Sequence, residues 1–167
     1  MAILKIKGEE FELKFSILLD KLLNKYIESD EETTGKQKVT GGISKVLPQL
    51  IDMDVETLAR VFEIAIKYAP KDKQINVKPD DIYEAIDERM NEDEDAVKIF
   101  TDVFEAIDQS AFSRNELAKF VENMKLVKVM RTDELDDQKA EIMISRLNSN
   151  YEKITGKVLI EADEVTA

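Results

Sequence analysis

MAILKIKGEEFELKF, residues 1–15, is the stretch that decides the fold. Apolar and charged residues alternate on both sides of Gly8-Glu9, and alternation with period two is the pattern of a half-buried strand. With Gly8-Glu9 as a two-residue turn, glycine supplying the positive φ, Ile6 faces Phe11 and Leu4 faces Leu13 on one side. The other side then pairs Lys7 with Glu10 and Lys5 with Glu12, opposite charges contributing about 0.2–1 kcal/mol per pair. A two-stranded ribbon alone is marginal in water. The apolar face of Leu4, Ile6, Phe11 and Leu13, continued by Phe15, must therefore lie on helices of its own chain or on a neighbour.

Beyond Phe15 the period changes to that of helices, and the predicted fold is mainly α with a small N-terminal β-hairpin, an α+β bundle of about six to seven helices. Ser16 is placed to cap a first helix, SILLDKLLNKYI, with Leu18, Leu19, Leu22, Leu23 and Tyr26 at helical spacing. From Glu28 to Lys38 no residue is apolar, which predicts a mobile surface loop running into the flexible pair Gly41-Gly42. Ile43, Val46, Leu47, Leu50 and Ile51 stripe a second helix that Pro48 either starts or bends. Asp54 caps a third, apolar on two sides and so expected at the centre, which Pro70 stops.

Pro79, Asp80 and Asp81 open a fourth helix that buries Ile82, Ala85, Ile86 and Met90. Asn91 with Glu94, and Ser113 with Glu116, have capping-box spacing and predict the starts of two more. Their stripes are Val97, Phe100, Phe104 and Ile107, then Leu117, Phe120, Val121, Met124 and Val127. Ala140, Ile144, Leu147, Tyr151, Ile154 and Val158 alternate in steps of four and three, the spacing of a coiled-coil seam. Gly156 is expected to end that helix, with Val158 to Ile160 and the acidic tail fraying after it.

Composition narrows the function. A chain of 167 residues with 43% hydrophobic residues has enough apolar material for one independently folding core. Its net charge of −12, from 36 acidic and 24 basic residues, argues against a nucleic-acid partner, since that affinity rests on counterions released by Lys and Arg. Histidine and cysteine are both absent, which removes thiol nucleophiles, disulfides, the usual zinc ligands and imidazole bases. No apolar run reaches the length of about 20 residues that spans a membrane, and no cleavable leader is evident. The expectation is a cytoplasmic protein that is not an enzyme, with no catalytic residue, no cofactor and no metal.

Three motifs weigh less than they first suggest. Asp52, Asp54, Glu56 and Glu63 fall at positions one, three, five and twelve of a calcium loop, but the sixth position is Thr57 where glycine is needed. They read better as capping carboxylates. NEDEDA, Asn91 to Ala96, is equally accounted for by the preference of acids for helix starts. The helices flanking SAFSRNE, Ala96 to Met130, mimic a helix-turn-helix, yet Arg114, Lys119, Lys125 and Lys128 are few against the overall charge. Met124, Met130 and Met143 suit a surface that accepts varied apolar partners, with gap-filling in a helical core as the plainer reading.

The ordered segments ILKIKGEEFELKF, GGISKVLPQLIDMDVETLARVFEIAIKYA and KPDDIYEAIDE resemble the tail assembly chaperones of long-tailed phages and prophages of Gram-positive bacteria. The resemblance covers about residues 1–110 and divides the chain into that hairpin-plus-helix part and residues 111–167, C-terminal helices expected on the same domain. It implies a protein of the host bacterial cytoplasm, absent from the mature virion, that coats the tape measure protein before the tail tube polymerises around it. A homo-oligomer is expected, and the tail tube protein is a further expected partner. On that reading Leu4, Ile6, Phe11, Leu13 and Phe15 serve packing or self-association, while Met124, Leu126 and Met130 offer an apolar stripe to the tape measure protein. The competing classes are an acidic phage regulator that mimics DNA or sequesters a host factor, and a carboxylate enzyme using a divalent metal.

Overall fold

The computed structural model describes residues 1–31, 42–68, 76–129 and 134–161. In order these form β1 (Ile3–Ile6), β2 (Glu9–Glu12), α1 (Ile17–Glu31), α2 (Gly42–Ile51), α3 (Val55–Lys67), α4 (Pro79–Asp93), α5 (Lys98–Gln109), α6 (Ala111–Val129) and α7 (Glu134–Thr155). The fold is the α+β bundle expected, a two-stranded antiparallel hairpin with seven helices among the described residues. Gly41, Ala69, Pro70, Met130 and the tail from Ala162 lie outside the described residues, as do the side chains of Tyr26, Val127 and Lys128. Of the expected loop from Glu28 to Lys38, the first four residues belong instead to α1, and the rest lies outside the described residues.

The hairpin has the expected faces but not the expected register. Leu4 pairs with Phe11, Lys5 with Glu10 and Ile6 with Glu9, two residues away from the pairing that a Gly8-Glu9 turn would give. The turn is Lys7-Gly8, with φ of 51° and 82°, and positive φ at both central residues marks the primed turn whose twist matches the strands. A slip of two preserves every side chain's face, whereas a slip of one would invert them all. Lys7 thus leaves the ladder, and its Nζ lies 3.2 Å from the Asp81 carboxylate and donates to the Asn76 carbonyl at 2.8 Å.

Helix starts follow local chemistry. Ser16 Oγ accepts from the Leu19 N–H at 3.1 Å, and the Asp54 carboxylate accepts from the Thr57 N–H at 3.1 Å, as expected of caps. Two capping boxes are not used. Asn91 and Glu94 close α4, with Glu94 left-handed at φ 51° and the Asp95 N–H donating back to the Met90 carbonyl. Asp95 precedes α5 and accepts from the Val97 N–H at 2.8 Å. Ser113 is buried inside α6, where its hydroxyl donates to the Ile107 carbonyl at 2.6 Å. Its own N–H reaches Ser110 Oγ at 3.4 Å.

One apolar cluster runs from Ala2 in the hairpin to Ile160 after α7. The stripes on α2, α5 and α7 read from periodicity are buried in it, apart from the partly buried Val97, the exposed Val158 and Ala140, which is buried but outside the cluster. α3 is buried on two sides, through Leu58, Val61, Phe62 and Ile66, and packs against α1, α2 and α4. The shared centre passes through α2, which meets α1, α3, α6 and α7 and carries Pro48 within its length. Its first residue, Gly42, is packed against α1 rather than free. A Cβ there would sit 2.3 Å from the Asp20 carbonyl oxygen, 2.5 Å from the Asn24 nitrogen and 2.7 Å from Leu23 Cβ. Asp20 itself accepts from the Ile43 N–H at 2.8 Å, so α1 supplies both the close contact and the cap of α2.

Arg89 ties the hairpin to α4 and α5. Its guanidinium donates to the Ile3 carbonyl at 2.7 Å, to Asp93 at 2.7 Å and to Asp102, a carboxylate buried on α5. Burial opposes the charge on Asp93, but hydrogen bonds from Arg89 and Lys98 overcome it and hold that carboxyl below the usual range. Asp81 is lowered too, chiefly by the Lys78 backbone N–H and with help from Lys7. A folded-state value below the unfolded one means that the stabilisation is complete above the ordinary carboxylate pKa of about 3.9 and disappears as pH falls through the folded value. Melting temperature should therefore hold steady above about pH 5 and drop steeply below about pH 4. Asp93→Asn should melt lower at neutral pH and show a shallower acid limb in the same circular-dichroism series.

Candidate partner-binding surfaces

The caps of α3 and α4 fix the two helices side by side, with Asp54 setting one start and Pro79 with Asp81 the other. Between them lies an open groove of about 240 Å³ lined by Glu56, Ala59, Arg60, Glu63, Pro79, Ile82 and Tyr83. Ala59 and Ile82 are buried and form its apolar floor, and Tyr83, 42% exposed, forms a wall. Glu56 and Glu63 lie one above the other along α3 at the rim. Such a groove suits an apolar side chain carried on a basic or amphipathic segment, and a tyrosine that is half apolar and half wet is a favoured contact residue.

The residues singled out in the sequence are divided by the fold. Leu4, Ile6, Phe11, Leu13 and Phe15 are all buried against the chain's own helices, so the hairpin's apolar face is covered within the chain. Met124 is likewise buried in the core. Leu126, two residues further along α6, is 55% exposed, and Met130 lies outside the described residues. Ile142 and Met143 on α7, and Ile17 and Leu18 at the start of α1, are further exposed apolar side chains.

α7 lies along α2, α5 and α6. Its seam of Ala140, Ile144, Leu147, Tyr151 and Ile154 is buried there, and the Tyr151 ring meets Phe104 edge-on at 5.4 Å. Asp52, at the α2–α3 corner, accepts from Arg146 at 2.9 Å and from Asn150 at 3.1 Å. The Thr101 hydroxyl of α5 donates to the Ile154 carbonyl at 2.6 Å. Lys157 approaches Asp108 at 3.4 Å. Past Gly156, left-handed at φ 71° as expected, Ile160 is buried rather than frayed, and Asn148 bonds both its N–H and its carbonyl.

The acidic motifs are occupied by this architecture. Asp52 holds α7 and Asp54 caps α3, and among the described residues no group of three or more carboxylates converges as metal ligands would. Lys119 and Lys125 on α6 pair with Glu116 and Glu122 of the same helix. Among the described residues no helix is long and apolar enough to cross a membrane.

Comparison with known proteins gives one family. A model described as phage tail assembly chaperone protein, TAC, matches residues 3–122, from the first residue of β1 into α6. The match runs past residue 110, where the resemblance was expected to end, and stops short of α7. No curated protein and no solved structure matches the chain.

Proposed function

The chain belongs to the phage tail assembly chaperone family, and on that premise we propose that it binds the tape measure protein and keeps it soluble during tail assembly, without catalysis. The observation that carries this reading is the family match over residues 3–122, which takes in the hairpin, the α3–α4 groove and most of α6. The physics of the task agrees with the molecule. A long, apolar helical client left bare in water gains about 25 cal/mol for each Å² that aggregation hides. Covering it takes many copies of a soluble subunit whose individual contacts are weak enough for tail tube subunits to displace. A net charge of −12 on every copy keeps the coated client dispersed. We place this work in the host cytoplasm, by a homo-oligomer that leaves before the virion is finished.

Leu126 gives the first test, because it is exposed and its replacement leaves the core intact. Leu126→Asp should shift the melting temperature by no more than about 2 °C, as surface changes do. Co-purification of co-expressed tape measure protein should nonetheless fall severely. Undiminished co-purification would remove the exposed face of α6 from the interface.

A further inference from the structure

We propose that the surface of α2, α5 and α6 beneath α7 is a groove for an amphipathic helix with a basic residue beside its apolar stripe and another past its end, which α7 fills in cis until a partner helix replaces it. α2, α5 and α6 as far as residue 122 lie in the part of the chain that matches the family, whereas α7, beginning at Glu134, lies wholly beyond it. Most of the groove thus lies within the matched region and its occupant outside it.

The seated helix shows what the groove accepts. Apolar residues at Ala140, Ile144, Leu147, Tyr151 and Ile154 keep a strict four-three spacing, and Glu141, Ile142, Met143 and Arg146 on the other sides are exposed. One narrow stripe does the docking, the mode by which a helix lies in a groove. Thr101 donates to the Ile154 carbonyl, within the last helical turn, where carbonyls have no partner inside their own helix. That bond is made to backbone and is indifferent to the occupant's side chains. The groove presents Asp52 at one place and Asp108 at another, and α7 answers with Arg146 and Lys157. These charge pairs are solvent-exposed, Arg146 and Lys157 being 62% and 67% accessible, so they select rather than hold. What holds α7 is the apolar stripe, and another helix with the same stripe would restore those contacts. The tether gives α7 a high effective concentration, so exchange is reversible and needs a client whose helices are locally abundant. That the incoming helix is a segment of tape measure protein rests on the chaperone reading; the groove itself does not.

The test uses the full chain and a fluorescein-labelled peptide of residues 134–160. Ile144→Ala with Leu147→Ala weakens the cis helix, so the groove is open in a larger fraction of molecules and apparent affinity rises by that fraction. The double variant should bind the peptide at least about tenfold more tightly than the parent. An unlabelled peptide with the four-three stripe and basic residues at the positions of Arg146 and Lys157 should displace it, and a scrambled one should not. Equal affinity for parent and variant, or no binding to a variant whose far-UV spectrum and melt remain those of a folded protein, would overturn the proposal. If that variant fails to fold, the single Leu147→Ala, a milder loss from the same apolar stripe, replaces it. Faster amide exchange across α7 with tighter peptide binding supports the groove, and no change in either overturns it. No tape measure protein enters this assay, so its failure and a failure of the chaperone reading are distinguishable.

Discussion

Arg89→Met is expected to destabilise the protein by about 3 kcal/mol, since removing one member of a buried ionic network strands the charges that it satisfied. For a chain of this size that lowers the melting temperature by roughly 6–12 °C. Three acceptors lose a donor together: the Ile3 carbonyl in β1, Asp93 in α4, which keeps Lys98, and Asp102 in α5. Asp102 is the costly one, being buried, with the chain's terminal amine at 3.8 Å as its other cation. Arg89→Lys keeps the charge but not the planar fork that spans three partners, so it should fall between parent and methionine variant. Adding Asp102→Asn to Arg89→Met should recover part of the loss, because the stranded charge is gone. A melt of Arg89→Met within about 2 °C of the parent would mean that the cluster is solvated and contributes little.

Gly42→Ala should cost a similar amount for a steric reason. The added methyl would lie 2.3 Å from one backbone oxygen and 2.5 Å from one backbone nitrogen of α1, so the helices must separate. Overpacking of this kind costs about 1–3 kcal/mol, and separation also pulls Asp20 from the N–H of Ile43. A loss of about 3 kcal/mol follows, measured as a fall in denaturation midpoint at constant slope. Gly8→Asn is the control. Nothing lies within 4 Å of a Cβ at Gly8, and asparagine tolerates its φ of 82° better than other residues, so stability should change by less than about 1 kcal/mol. If Gly42→Ala matched that control, the α1–α2 contact would have to be looser than the structure shows.

These two sites also mark where sequence reading stops. Periodicity exposed the faces of the hairpin and the stripes of α2, α5 and α7, because a buried face must repeat at the period of its element. It could not place the hairpin register, since a slip of two leaves both faces intact and only the φ values at Lys7 and Gly8 distinguish the pairings. Gly42 reads as flexible in a polar run because the constraint comes from α1, across the chain's own fold. Nothing in the sequence singles out Arg89, because the carbonyl it reaches belongs to a strand 86 residues earlier. Asn91 with Glu94, and Ser113 with Glu116, show that box spacing also arises at a helix C-terminus and inside a helix, where no helix start is capped.

The candidate surfaces were the least legible part. Buried Met124 and exposed Leu126 differ by two positions on α6, and amphipathic spacing alone does not say which apolar residue a neighbouring helix covers. The α3–α4 groove has no sequence signature, because its floor, Ala59 and Ile82, comes from the ordinary core stripes of two helices. The seam on α7 was visible as a four-three alternation, but its partner proved to be the chain's own α2, α5 and α6.

The central claim is that this protein shields an apolar helical client. Co-expression with a phage tape measure protein, followed by centrifugation and multi-angle light scattering of the supernatant, tests it most directly. The account predicts tape measure protein in the soluble fraction only when this chain is present, in a complex whose mass requires several copies per client. Tape measure protein that pellets equally with and without it, or that elutes free of it, would contradict the claim.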